Sequence, residues 1–182
     1  MALKATIFKA DLSISDMDRN YYHDHGVTLA RHPSETDERM MVRLLVFALH
    51  AHDMLVFGDK IGSVDEPDLW QRDLTGAIEL WIDVGQPDEK AVRKACGRAK
   101  RVFVYPYSGH SATVWWNQAK DNLGKARNLS VICLPADAAP ALAKLAARTM
   151  KLQCTIQDGQ VWLSNGGETV HIELKQLMTA ES

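Results

Sequence analysis

The chain has 182 residues, 46% hydrophobic and 24% charged, and its 21 Lys and Arg against 23 Asp and Glu give a formal net charge of −2. This balance excludes a disordered or collagen-like chain and argues against a strongly basic nucleic-acid coat protein, while leaving room for a local basic stripe. At this length roughly two-thirds of the unfolded surface can be buried, so one domain over residues 1–182 needs no metal or disulfide staple.

The opening MALKATIFKADLSIS is interrupted by Lys4 and Lys9 and lacks the apolar run of a signal peptide. No stretch approaches the 18 or more apolar residues of a membrane helix, so no membrane partner is expected. Cys96, Cys133 and Cys154 are scattered, with no CxxC pair. Three reduced, mostly buried thiols and a cytoplasmic location are the expectation.

Residues 3–14 alternate apolar and polar, as a strand with one wet face does. Residues 16–32 read as polar and irregular. A helix follows, capped by Ser34 with Asp37 three residues on and striped by Met40, Met41, Leu44, Leu45 and Ala48. Residues 54–57 form a short strand and 58–62 a loop. Residues 68–72 and 77–84 pair around a turn at 73–76. Pro87, Asp88 and Glu89 open a helix reaching about residue 100. Residues 102–105 are a buried strand, 112–123 a helix, 131–134 another buried strand and 138–148 an Ala-rich helix. The end is a meander, with strands at 152–157, 161–164 and 169–174 joined by Asp158-Gly159 and Asn165-Gly166-Gly167. The whole reads as an α/β core whose N-terminal strand joins the C-terminal meander in a second sheet.

The chemistry concentrates in residues 65–85. In the second strand of that hairpin Ile78, Leu80, Ile82 and Val84 share a core face under the helices, and Glu79, Trp81 and Asp83 share the other. Pairing Arg72 with Ala77 sets Trp70 opposite Glu79, Asp68 opposite Trp81 and Glu66 opposite Asp83. Four carboxylates, Glu66, Asp68, Glu79 and Asp83, then crowd one patch, and a hard cation such as Mg2+ or Mn2+ relieves their repulsion. The plain alternative is a solvated acidic strand. Glu38, three and seven residues before Met41 and Leu45, points toward the helix stripe; it pairs with Arg39 or Arg43, or it contributes to the acidic site. Two HxH pairs (His23/His25, His50/His52), Trp115-Trp116 and the basic run over 90–101 are weaker signals, each with an ordinary structural reading.

The segments MALKATIFKA, LARHPSETDERMMVRLL, ELWIDVGQPDEKAVRKACGRA and LQCTIQDGQVWLS resemble the YaeQ family of bacterial proteins along the whole chain. The resemblance implies an α/β fold with a PD-(D/E)XK nuclease-like αβββαβ core over about residues 34–135, plus an added antiparallel sheet. Pro67-Asp68 then stands at the PD pair. Glu79-Leu80-Trp81 or Asp83-Val84-Gly85 stands at the triplet, with Trp81 or Gly85 in place of lysine. Glu38 matches the helix glutamate, and Lys94 is a candidate for a migrated lysine. Two functions follow as expectations. One is a metal-dependent phosphodiester hydrolase, with Glu66, Asp68, Glu79 and Asp83 on Mg2+ or Mn2+, Glu38 in support and Lys94 taking up charge. The other is a catalytically silent protein on the same fold that binds nucleic acid or a protein partner.

Overall fold

A computed structural model describes residues 4–60 and 63–181. Leu3 of the expected first strand and residues 61–62 of the expected loop lie outside the described residues. The elements run β1 (Thr6–Asp16), β2 (Tyr21–Arg31), α1 (Asp37–Leu49), β3 (Leu55–Phe57), β4 (Leu69–Arg72), β5 (Ile78–Val84), α2 (Glu89–Arg98) and β6 (Ala99–Tyr105). They continue through α3 (His110–Leu123), β7 (Leu129–Cys133), α4 (Ala138–Ala143), β8 (Thr149–Gln157), β9 (Gln160–Ser164), β10 (Thr169–Glu173) and β11 (Lys175–Met178). Two compact units result, the first from Met1–His50 with Asp137–Leu174, the second from Ala51–Ala136 with Lys175–Ser182.

The first unit is a mixed sheet in the order β10-β9-β8-β1-β2. Its core follows from alternation: Phe8, Ala10, Leu12 and Ile14 of β1 are buried, as are Met150, Leu152, Cys154 and Ile156 of β8. The expected joining of the N-terminal strand to the meander is present, with β1 parallel to β8 from Lys9↔Thr149 to Asp16↔Ile156. α1 contacts β1, β2 and α4, and its residues from Met40 to Ala48 are all buried. Thr36, not Ser34, caps it, accepting from the Arg39 amide at 3.1 Å. Ser34 instead bonds His32.

The stretch expected to be irregular holds β2, paired with β1 over eleven residue pairs. It is an edge strand in which only Val27 and Leu29 are buried, so its first half carries no apolar alternation for a sequence reading to detect. α4 is shorter than expected: it ends at Ala143, and a turn leads from there to β8 at Thr149.

The second unit is a sheet in the order β11-β7-β6-β5-β4-β3, with β5, β6 and β7 parallel. Val92 and Ala95 of α2 and Ala119 and Leu123 of α3 pack with Trp81, Val102, Val104, Leu129 and Val131. The face of Trp81, expected to line an acidic cleft, is therefore the one under these helices, in place of the Leu80 and Ile82 face expected there, and Trp81 is its largest buried member. Leu80, Ile82 and Val84 are buried as well, so β5 is covered on both faces. β11 was not anticipated; it follows β10 after Leu174 alone and pairs antiparallel with β7.

Candidate functional site

The start of β4 is set by a close backbone approach. A Cβ at Gly58 would lie 2.0 Å from the Pro67 carbonyl oxygen, so only glycine lets the residue 58 amide reach the Asp68 carbonyl at 2.9 Å. Across the hairpin, Asp73 Oδ1 accepts from the amides of Thr75 at 2.8 Å and Ala77 at 3.0 Å and widens the turn beyond the expected one. A bulge follows, since Gln71 pairs with Leu80 but Arg72 with Ile78, leaving Glu79 without an opposite residue on β4.

The register therefore differs from the expected one: Trp70 faces Trp81, not Glu79, and Leu69 faces Ile82. Between Trp70 and Trp81 the slip is two residues, which preserves which side chains share a face.

This register brings Asp68 and Asp83 together and keeps the other acids apart. Asp68, 9% exposed, accepts at Oδ2 from the Val84 amide at 2.8 Å, and its own amide donates to Asp83 Oδ1 at 3.4 Å. The Trp81 indole N–H donates to Asp83 Oδ2 at 2.9 Å. Trp70 and Trp81 meet edge to face with centroids 6.0 Å apart. The Arg72 guanidinium stands 3.7 Å over Trp70 and that of Arg98 stands 5.0 Å over Trp81, so the indole pair is flanked by a cation at each end.

Glu79 is tied to Lys100 at 2.6 Å, and this bond and charge hold the Lys100 ammonium above its usual pKa. Glu66 accepts from the Asp59 amide at 3.2 Å. Lys94 pairs with Asp65 at 3.0 Å and holds that carboxyl below its usual range, by hydrogen bond first and by charge second.

Glu38 lies on α1 in the first unit, and no ion pair joins it to Arg39 or Arg43 among the described residues. Both arginines hold Glu35 instead. Its carboxyl is wholly buried, with Arg43 at 2.5 and 2.9 Å and Arg39 at 2.8 Å. A signal for this was present in the sequence: Glu35 stands just before the helix, four and eight residues ahead of the two arginines, on the side toward which helical side chains point back.

The donor set does not fit the hard-cation centre that the resemblance implies. Among the described residues no three His, Cys, Asp or Glu side chains gather as a metal-binding group. Only Asp68 and Asp83 adjoin, and their oxygens already take the N–H bonds above. The HxH pairs are engaged locally: His25 Nε2 bonds the Tyr21 hydroxyl at 2.6 Å, and His52 Nδ1 accepts from the Met54 amide at 3.0 Å. Trp115 donates to the Pro87 carbonyl at 2.7 Å, and both Trp115 and Trp116 pack half-buried on the core. One margin of the same unit stays open. Val56, 52% exposed, lies opposite the half-buried Trp70 at the three-residue edge strand β3.

The family described as YaeQ protein matches residues 1–174. Curated relatives called "Uncharacterized protein YaeQ" are 45% identical in Salmonella typhi and 44% identical in Escherichia coli (strain K12), each over 174 residues and 96% of both chains. The crystal structure of YaeQ protein from Xanthomonas axonopodis pv. citri superposes with a TM-score of 0.93 at 49% identity, covering 96% of this chain and 99% of that one. That of YaeQ protein from Pseudomonas syringae gives 0.91 at 34% identity, covering 96% and 97%. Over nearly its whole length, in sequence and in fold, the chain belongs to the YaeQ family.

Proposed function

We propose that the second unit is a binding surface for single-stranded nucleic acid and that the protein does not hydrolyse what it binds. The observation that carries this reading is Trp81. On one of the two alignments that the resemblance offers it stands where a hydrolase of the implied fold needs a cation, with Gly85 there on the other; it is 2% exposed, and its indole N–H is committed to Asp83. An indole cannot take up the negative charge that develops on a phosphorane. Lys94, the candidate substitute, is half exposed and engaged with Asp65.

Binding is supported by the open margin. Trp70 offers an aromatic face that Arg72 now covers, and Lys100 lies nearby across β5. A base stacking on Trp70 would displace the Arg72 guanidinium toward a phosphate, the usual pairing of aromatic platform and cation in single-strand recognition. The exposed Val56 and Met54 favour a second reading, a protein partner docked at the β3 edge.

The test is fluorescence anisotropy with a labelled single-stranded oligonucleotide, followed by gel analysis of the same mixtures across a Mn2+ titration. Binding that weakens with salt and in Trp70→Ala, without cleavage at any Mn2+ level, is the expected result. Cleavage that disappears in Asp68→Asn would return the protein to the hydrolases. Neither binding nor cleavage would leave the protein-partner reading.

A further inference from the structure

We propose that the first unit carries a separate binding groove for a neutral saccharide on the uncovered face of its five-stranded sheet. The groove has a volume of about 520 Å³, within the range of about 300–1,000 Å³ common for ligand sites. Its floor is a grid set by register. One row runs Gly26–Asp11–Lys151 and the next Asp24–Ser13–Gln153–Ser164, across β2, β1, β8 and β9. The loop at Asn165 and Gly166 forms one wall.

The polar groups on the floor are open to solvent and not tied to one another. Among the described residues, the side chains of Asp11, Ser13, Asp24, Lys151 and Gln153 make no hydrogen bond or ion pair, although Asp11 and Lys151 stand opposite each other in the ladder. The margins are internally bonded: Asn165 Oδ1 accepts from the amides of Gly167 at 3.0 Å and Glu168 at 2.7 Å, Ser164 Oγ accepts from the Gly166 amide at 3.1 Å, and His25 bonds the Tyr21 hydroxyl at 2.6 Å.

Gly26 is the second observation. It sits in the middle of an eleven-residue strand, where glycine weakens the fold and often marks close approach by a ligand. The backbone does not require it: a Cβ there would meet Asp11 Oδ1 at an ordinary 3.9 Å, and its φ is not positive. What its missing side chain does is keep the floor open.

The chemistry of the lining selects the ligand. Two carboxylates accept, one ammonium donates, and a carboxamide and hydroxyls do both. A hydroxyl can answer every one of these groups, and a ring bearing several can answer them together. Phosphate or sulfate would face Asp11 and Asp24, and a polyamine would face Lys151.

The row beyond the groove holds Tyr22, 54% exposed, opposite Ser15, and Trp162 opposite Thr155, with His171 stacked 4.9 Å from Trp162. Flat aromatic faces beside hydrogen-bonding groups match a sugar ring, which is apolar along its C–H face and polar at its rim.

The experiment is a glycan array of neutral, amino, sulfated and phosphorylated oligosaccharides. It is probed with the full chain, Gly26→Val and Asp11→Asn, with melting curves for all three and spermine as a separate titrant. The expected result is retention of a neutral oligosaccharide, reduced at least tenfold in both variants while neither melts lower than the parent. Three results would overturn the proposal: no neutral glycan retained, equal retention by the variants, or binding confined to spermine or to charged glycans. None of these bears on the nucleic-acid reading, which is tested by Trp70 in the other unit.

Discussion

Two β-sheet faces in this protein carry acids beside aromatic residues, and they have opposite fates. Around β5, Asp68 and Asp83 lie next to Trp81 with their oxygens taken by Val84, Trp81 and a backbone amide. On the uncovered face of β2, β1 and β8, Asp24, Asp11 and Lys151 stand in a groove with no side-chain partner among the described residues. The difference lies in what each polar group touches. A carboxylate held by N–H donors beside the buried Trp81 is part of the structure, whereas one left to solvent in a concavity is available to a ligand.

The comparison is broken most forcefully where satisfied charge is deepest. Glu35→Ala would leave Arg43 buried without its counter-charge, a loss of about 3–5 kcal/mol in a urea melt. An unfolding midpoint close to the parent's would mean that Arg43 finds solvent or another acid. Trp81→Phe keeps most of the packing but strips the indole N–H from Asp83, and about 1–3 kcal/mol should go with it. A stability equal to the parent's would show that Asp83 was never dependent on Trp81.

Chemistry on a single strand sharpens the same contrast. Cys154 lies on the covered side of β8, between the exposed Lys151 and Gln153 on the other side and the strand's end, and burial pushes its thiol up from 9.0 to about 12. Cys96 is pushed up to about 11 by the same cause. Their thiolates form only at high pH, so iodoacetamide at pH 8 should label both far more slowly in the folded protein than in urea. Because the unfolded thiols ionise first, stability should fall as the pH rises past about 9. Rapid labelling of native Cys154 would mean that the β8 face is open. The smallest effect is expected in the groove itself, where Asp11→Asn and Lys151→Ala should each stay within about 0.5 kcal/mol of the parent by thermal melt.

Elements built on strong periodicity were legible from the residues alone. The α1 stripe, the pairing of β4 with β5 and the Asp-Gly and Asn-Gly turns of the meander all stand where the pattern put them. β2 was not legible, because an edge strand needs few apolar residues and its Tyr21 to Gly26 stretch has no alternation. The acid pairing was legible in face but not in register. Nothing in the letters announces that Asp73 will widen the turn and that a bulge will isolate Glu79. The groove was invisible for another reason: its residues come from four strands whose order depends on β1 running parallel to β8. Glu35 is not legible beside Glu38, because the apolar stripe does not show which acid the arginines hold; Arg39 and Arg43 reach back from the first turns of α1 to a residue before its cap.

Asp68 and Asp83 are committed to structure, and manganese binding by calorimetry on the parent and on Asp68→Asn is the decisive measurement. Weak, unsaturating heats, the same in both proteins, are the expected outcome. Saturable binding at one or two sites in the parent, lost in Asp68→Asn while the fold is kept, would contradict it and reinstate the metal-dependent hydrolase.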